Sequence, residues 1–357
     1  MSIENSQHKI VEQEFNNYQN SLVLQQSDLS LKSIAEMVNS GAIDINPSYQ
    51  RRERWNREKK SDLIESFLLN IPVPPIYLAE DEYGVYSVID GKQRVTAISD
   101  YLNGNFPIYK PESFKSLDGY TFDSLPPSLK NALSIRPYIR VVTLLKQSDD
   151  DIKHEVFLRL NKAGVALNSQ EIRNVSFRGK FNDTLIELSE LPMFKMLIGS
   201  EDRAGKVYRE MIDVQFVLRF FTVRLLWNEF TGNMDIAMDN FMKEHYKLAG
   251  ASLTPFVDVF TRTLNACYEI WGEDAFKRPN ATKKILQGFY DVQMVCISLL
   301  SEDELRNAID NKIAVAQWLE NETVNNLEFN KSLTQFTSNS EAVRYRISHF
   351  LNMLRAL

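Results

Sequence analysis

The pentapeptide Asp90-Gly91-Lys92-Gln93-Arg94 sets an acid, a glycine, an amide and two cations at the join between a β-like run, VYSVID, and a helix-like run, RVTAISDYL. Such a join collects backbone N–H groups that the first turn of a helix leaves unbonded. Together with the helix dipole they attract an anion. Gly91 lets the backbone approach closely, Arg94 offers a planar fork to phosphate oxygens, and Gln93 can hydrogen-bond a phosphate or a water beside it. Asp90 alone would repel a phosphate, so a working Asp90 requires a metal ion or an arginine between the two. The plain reading is an exposed turn with Asp90 as helix N-cap, and local physics alone favours it.

Two other stretches carry chemistry. NPSYQRRERWNREKK, residues 46–60, holds Arg51, Arg52, Arg54, Arg57, Lys59 and Lys60 against Glu53 and Glu58. With Tyr49 and Trp55 interleaved, it suits phosphate contacts and base stacking; a solvated helix start with Trp55 in the core explains it as well. VFLRLNKAGVALNSQEIRN, residues 156–174, offers Asn161, Asn168 and Glu171, whose oxygens suit a hard cation such as Mg²⁺. A turn followed by a capping box accounts for Asn168 and Glu171 equally. A looser series, Asp81, Asp90 and Lys92, matches two acids and a lysine of a metal-dependent nuclease, but a helix starting straight after Lys92 suits phosphate binding better.

The elements that must position these residues follow from periodicity and punctuation. A helix starts at Ser27 or Ser30 and stops at Gly41, and a short extended piece follows. Leu63, Ile64, Phe67 and Leu68 form one face of a second helix that IPVPP ends. PIYLAE and VYSVID read as strands joined by the turn DEYG, and RPYIRVVTLL reads as a third. A helix capped by Ser148 and another capped by Asn168 or Ser169 follow. VYREMIDVQFVLRFFTVRLLWNEF is apolar nearly all round, the mark of a buried helix, and no convincing strand appears after it. The organisation predicted is α+β: a polar lead-in over residues 1–26, a mixed α/β domain over 27–180 and an all-helical domain over 181–357.

Taken in order, the YQR…W segment, the strand-DGKQR-helix join and the FLRLNKAGVALNSQEIRN segment resemble the N-terminal domain family of GmrSD-type restriction endonucleases. The residues that carry the resemblance are Tyr49, Gln50, Arg51, Trp55, the run 63–75, residues 90–96 and residues 157–174. It implies a fold like that of ParB and sulfiredoxin, in which a strand-turn-helix element holds nucleotide phosphates, and a place in bacterial or phage-defence systems where nucleotide hydrolysis controls cleavage of modified foreign DNA. The family's DGQQR element falls on Asp90, Gly91, Lys92, Gln93 and Arg94, with Lys92 replacing the usual first glutamine. Its early arginine falls on Arg51, and the asparagine and glutamate of its third motif fall on Asn161 and Glu171.

The resemblance implies a nucleoside triphosphate on residues 91–96, up to Thr96, clamped by Arg94 and Arg51. Mg²⁺ would lie near Asp90, Asn161 or Glu171, and Asp90 or Glu171 would orient the attacking water. Arg52, Arg54, Arg57 and Lys59 are the candidates for DNA backbone contact. A non-catalytic DNA-binding or regulatory module remains the alternative, with a DNA nickase behind it.

Composition bounds these readings. The 357 residues suit two domains, and a net charge of −6 means that any nucleic-acid contact comes from a local basic patch. Cys267 and Cys296 lack disulfide or zinc spacing and read as buried thiols. His8, His154, His245 and His349 are scattered, without the pattern of a His-Asn-His nuclease, so no such nuclease is read in this chain, and a separate nuclease subunit is one candidate partner beside DNA. The helical half is expected to position the nucleotide domain, to self-associate or to bind that partner. The N-terminus has no apolar core for a signal peptide, and no run approaches the ~18 apolar residues of a membrane helix, so a soluble cytoplasmic protein is expected.

Overall fold

The computed structural model describes residues 21–45, 55–149, 168–203, 205–279 and 284–357, with scattered residues between 8 and 19 and between 152 and 160. These residues form two compact units, the second beginning at Asn168. Among them no helix is long and apolar enough to cross a membrane.

The first unit is built on a five-stranded mixed sheet in the order β1-β5-β3-β4-β2. The strands are β1 (Leu24–Ser30), β2 (Ile43–Asp44), β3 (Ile76–Glu82), β4 (Val85–Asp90) and β5 (Tyr138–Leu144). β1 runs antiparallel to β5, β5 parallel to β3, β3 antiparallel to β4, and β4 parallel to β2. Its helices are α1 (Leu31–Asn39), α2 (Arg57–Leu68), α3 (Lys92–Leu102) and α4 (Pro127–Ile135). Leu31 and Ile34 from α1, Ile64 and Phe67 from α2, and Val95, Ile98 and Tyr101 from α3 join Ile76, Leu78, Val88 and Val141 from the sheet in one core. Each such side chain, fully buried, contributes about 1.5–3 kcal/mol.

Ser30 is the cap of α1, with its hydroxyl accepting from Ser33 N–H. Two expectations for this unit change. LQQSDLS, which gives little β signal, forms the edge strand β1, fixed by its seven-residue register with β5. Ser148 is not a helix cap: its hydroxyl accepts from Val23 N–H and donates to Val23 O. Asp149 is one residue later, and its Oδ1 accepts from Ile152 N–H at 3.2 Å.

The second unit is helical: α5 (Ser169–Ser176), α6 (Lys180–Ser189), α7 (Pro192–Ile198), α8 (Lys206–Arg209), α9 (Ile212–Leu226), α10 (Met234–His245), α11 (Thr254–Trp271), α12 (Gln287–Ser298), α13 (Glu302–Asp310), α14 (Lys312–Asn325), α15 (Leu327–Thr334) and α16 (Ser340–Arg355). The apolar run after residue 206 is buried over its middle, at Val214 and residues 216–223, while Leu225 is exposed, and it is two helices rather than one. The chain breaks at Met211, which is buried and takes a left-handed φ of 55°. Beyond residue 180 the described residues hold one isolated bridge, Lys277 to Ile285, and no strand. The thiols of Cys267 and Cys296 are buried and free. His245 stacks on Phe241 at 4.1 Å, and His349 packs among Trp318, Phe329 and Tyr345.

Candidate functional site

β4 ends in a bulge. Val88 faces Leu78 and Asp90 faces Tyr77 on β3, so Ile89 is an extra residue on the β4 side. Bulges re-aim the residue that follows them, here Asp90. Gly91 then turns the chain with φ 95° and ψ 12°, a left-handed conformation natural to glycine, and α3 starts at Lys92. Asp90 is not the N-cap; Gly91 is, and no side chain caps the helix. The first turn of α3 contains no acid and carries Lys92 and Arg94. Its N-terminus is therefore a positive end reinforced by two cations, a setting that favours a bound anion.

Asp90 is instead paired with Arg94. Arg94 Nη2 donates to Asp90 Oδ2 at 2.8 Å and to the carbonyl of Pro75 at 3.0 Å. Pro75 is the last residue of IPVPP before β3, so the proline run that ends α2 also supplies an acceptor for the arginine. The guanidinium lies against the turn: a Cβ on Gly91 would stand 3.1 Å from Arg94 Nη2 and 3.3 Å from Nε. Arg94 Nε is buried and has no hydrogen-bond partner among the described residues. An orphaned donor on a permanently charged group is a place for a ligand or an ordered water.

Gln93 Oε1 accepts the backbone N–H of Trp55 at 3.0 Å. This bond brings the end of the basic segment to the turn, so the first two sequence features meet. Arg57 and Lys59 are exposed at the start of α2, and Asn56 caps that helix through Lys59 N–H. Lys92 and Thr96 are half-buried on α3. Arg51, Arg52, Arg54 and Asn161 lie outside the described residues.

Glu171 belongs to the second unit. Asn168 Oδ1 accepts Glu171 N–H and Glu171 Oε2 accepts Asn168 N–H, both at 2.9 Å, a complete capping box. Glu171 is buried. Around it, Asn168 Nδ2 donates to Glu210 O at 2.7 Å, Gln170 Nε2 donates to Asn174 Oδ1, and Asn174 Nδ2 reaches Met211 Sδ. Arg173, also buried, donates to Asp235 and Asp239 at 2.6 Å each. From Asn168 to Asn174 the third motif has a built structural task, the clasp that seats α5 against α10 and the bend at Met211. Among the described residues no three His, Cys, Asp or Glu side chains are grouped to hold a metal ion.

Sequence reasoning missed Glu65, although an acid inside the apolar face of α2 was a signal. Its buried carboxylate accepts the N–H groups of Glu112, Ser113 and Phe114 at 3.1, 2.8 and 2.7 Å, which pins the chain that follows α3.

No curated protein and no solved structure matches the chain. Residues 33–178 match the family model of the GmrSD restriction endonuclease N-terminal domain. That match spans the β4–Gly91–α3 turn, Arg94 and the capping box at Asn168, so over residues 33–178 the chain is similar to the GmrSD restriction endonuclease N-terminal domain.

Proposed function

We propose that the first unit binds a nucleoside triphosphate and hydrolyses it, as a component of a restriction-type defence system that acts with DNA or a partner nuclease. The observation that carries this reading is the uncapped N-terminus of α3, entered through left-handed Gly91, with Lys92 and Arg94 in its first turn. Phosphates on the N–H groups of that turn meet the positive dipole end and two side-chain cations at once. Hydrolysis there rests on charge stabilisation and positioning, as phosphoryl transfer generally does, and Mg²⁺ arrives with the triphosphate. In the family's setting, hydrolysis licenses DNA cleavage.

A nucleotide-release assay tests the reading. Wild type is expected to turn over at least one nucleoside triphosphate, and Arg94→Ala is expected to lose about tenfold or more. Equal turnover sinks the site, and a wild type that binds no nucleotide sinks the function. Exposed Arg57 and Lys59 favour a second use of the same unit, contact with a DNA backbone. Neutralising both is then expected to flatten the salt dependence of DNA affinity by about two counterions.

A further inference from the structure

We propose that Asp90 is a positioning residue: it acts on a bound nucleotide by holding Arg94 against the Gly91 turn, and it is not a metal ligand. This deepens the nucleotide reading and rests on it. A carboxylate beside a phosphate site has two ways to be tolerated, a metal ion or a cationic side chain between them. The geometry here supplies the second. Asp90 Oδ2 accepts from Arg94 Nη2 at 2.8 Å, four residues along the same turn, and Pro75 O takes the other hydrogen of that nitrogen at 3.0 Å. Nη2 is therefore filled.

Two acceptors on one nitrogen fix the plane of the guanidinium, and the missing Cβ of Gly91 lets that plane lie on the turn. Nε remains as a buried donor without a partner among the described residues. The arrangement orients the arginine with protein oxygens before any ligand arrives. A planar fork held in this way loses little freedom when an anion arrives. A metal bonded to Oδ2 of Asp90 would compete with Nη2 for that oxygen, and a released Nη2 would leave the guanidinium tied by Pro75 alone.

A double-mutant cycle on the full chain decides between the two roles. Equilibrium binding of fluorescent ATP, GTP, CTP and UTP analogues is measured across a Mg²⁺ titration for wild type, Asp90→Asn, Asp90→Ala, Arg94→Ala and Asp90→Ala/Arg94→Ala. Arg94→Ala is expected to weaken binding about tenfold or more, since it removes a charge-assisted contact. Asp90→Ala frees the guanidinium and is expected to approach that loss. The double variant is expected to bind no more weakly than Arg94→Ala alone, because Asp90 has nothing left to position.

Asp90→Asn keeps an oxygen for Nη2, so it is expected to bind within about threefold of wild type, at an unchanged Mg²⁺ half-saturation. This variant also preserves shape and carries the test if Asp90→Ala does not fold. Additive losses in the double variant, or a Mg²⁺ requirement that rises in Asp90→Asn, overturn the proposal and leave nucleotide binding standing. A wild type that binds none of the four analogues overturns both.

Discussion

Gly91 is where local sequence and local structure are tied most tightly. Its φ of 95° lies where a side chain is strained, and a Cβ there would meet Arg94 Nη2 and Ile76 Cγ1 at 3.1 Å each. Gly91→Ala is therefore expected to lower stability by about 2 kcal/mol and to displace Arg94, so that nucleotide affinity falls together with melting temperature. A variant that melts like wild type and binds like wild type would refute the role given to the turn. The pentapeptide is legible in part. Its residue types suit an anion, because a glycine, a lysine and an arginine at a helix start favour negative charge there, but they suit a plain turn as well. The role of Asp90 is not legible as a single answer. N-capping and pairing with Arg94 both place an acid before a helix, and only the folded chain shows that Gly91 occupies the cap position and that Pro75 O lies within reach of Nη2.

Elements with strong apolar periodicity and clear caps can be read from the sequence: α2, β3, β4, α3 and β5, and the capping box of α5. β1 cannot, because an edge strand with a polar sequence gets its stability from the ladder with β5 rather than from its own residues. The break between α8 and α9 is hidden for a similar reason. Met211 carries none of the punctuation of glycine or proline, and its φ of 55° is imposed from outside by Asn168 on Glu210 O and Asn174 on Met211 Sδ. That bend makes the clasp around α5 testable. Arg173 is buried while its partners Asp235 and Asp239 are about half exposed, at 60% and 52%. Arg173→Ala lets both acids return to water, so the expected loss is about 2 kcal/mol, below the 3–5 kcal/mol typical of a fully buried pair. Arg173→Lys is expected to recover less than half of it, since an ammonium cannot serve two acids with the geometry of a fork. Denaturant melts of the two variants check this ordering; equal stability of Arg173→Ala and wild type would remove the clasp.

At the scale of the molecule, the described residues divide their burial between two cores, one around the sheet and one among the helices, and the helical core has its own electrostatic knot. Arg219 grips Asp291 with two bonds at 2.8 and 2.7 Å, Arg346 shares the same carboxylate, and Thr337 O accepts from both arginines. A core that encloses this charge also holds three acidic groups protonated. Burial pushes the thiols of Cys267 and Cys296 and the phenol of Tyr290 above their ordinary values of 9.0 and 10.0. In the unfolded chain these groups ionise near the ordinary values, whereas in the folded chain they stay neutral. Below pH 9 both states bind the same protons at these sites and stability does not change through them. Above it the unfolded state binds fewer protons than the native state, so stability falls as pH rises. The melting temperature is thus expected to decline steadily from about pH 9 upward. A Cys267→Ala/Cys296→Ala variant, whatever its stability at neutral pH, is expected to decline less steeply, because two of the three groups are gone. Slopes that run parallel between wild type and the double variant, in melts taken from pH 7 to pH 10.5, would assign the alkaline loss to other groups.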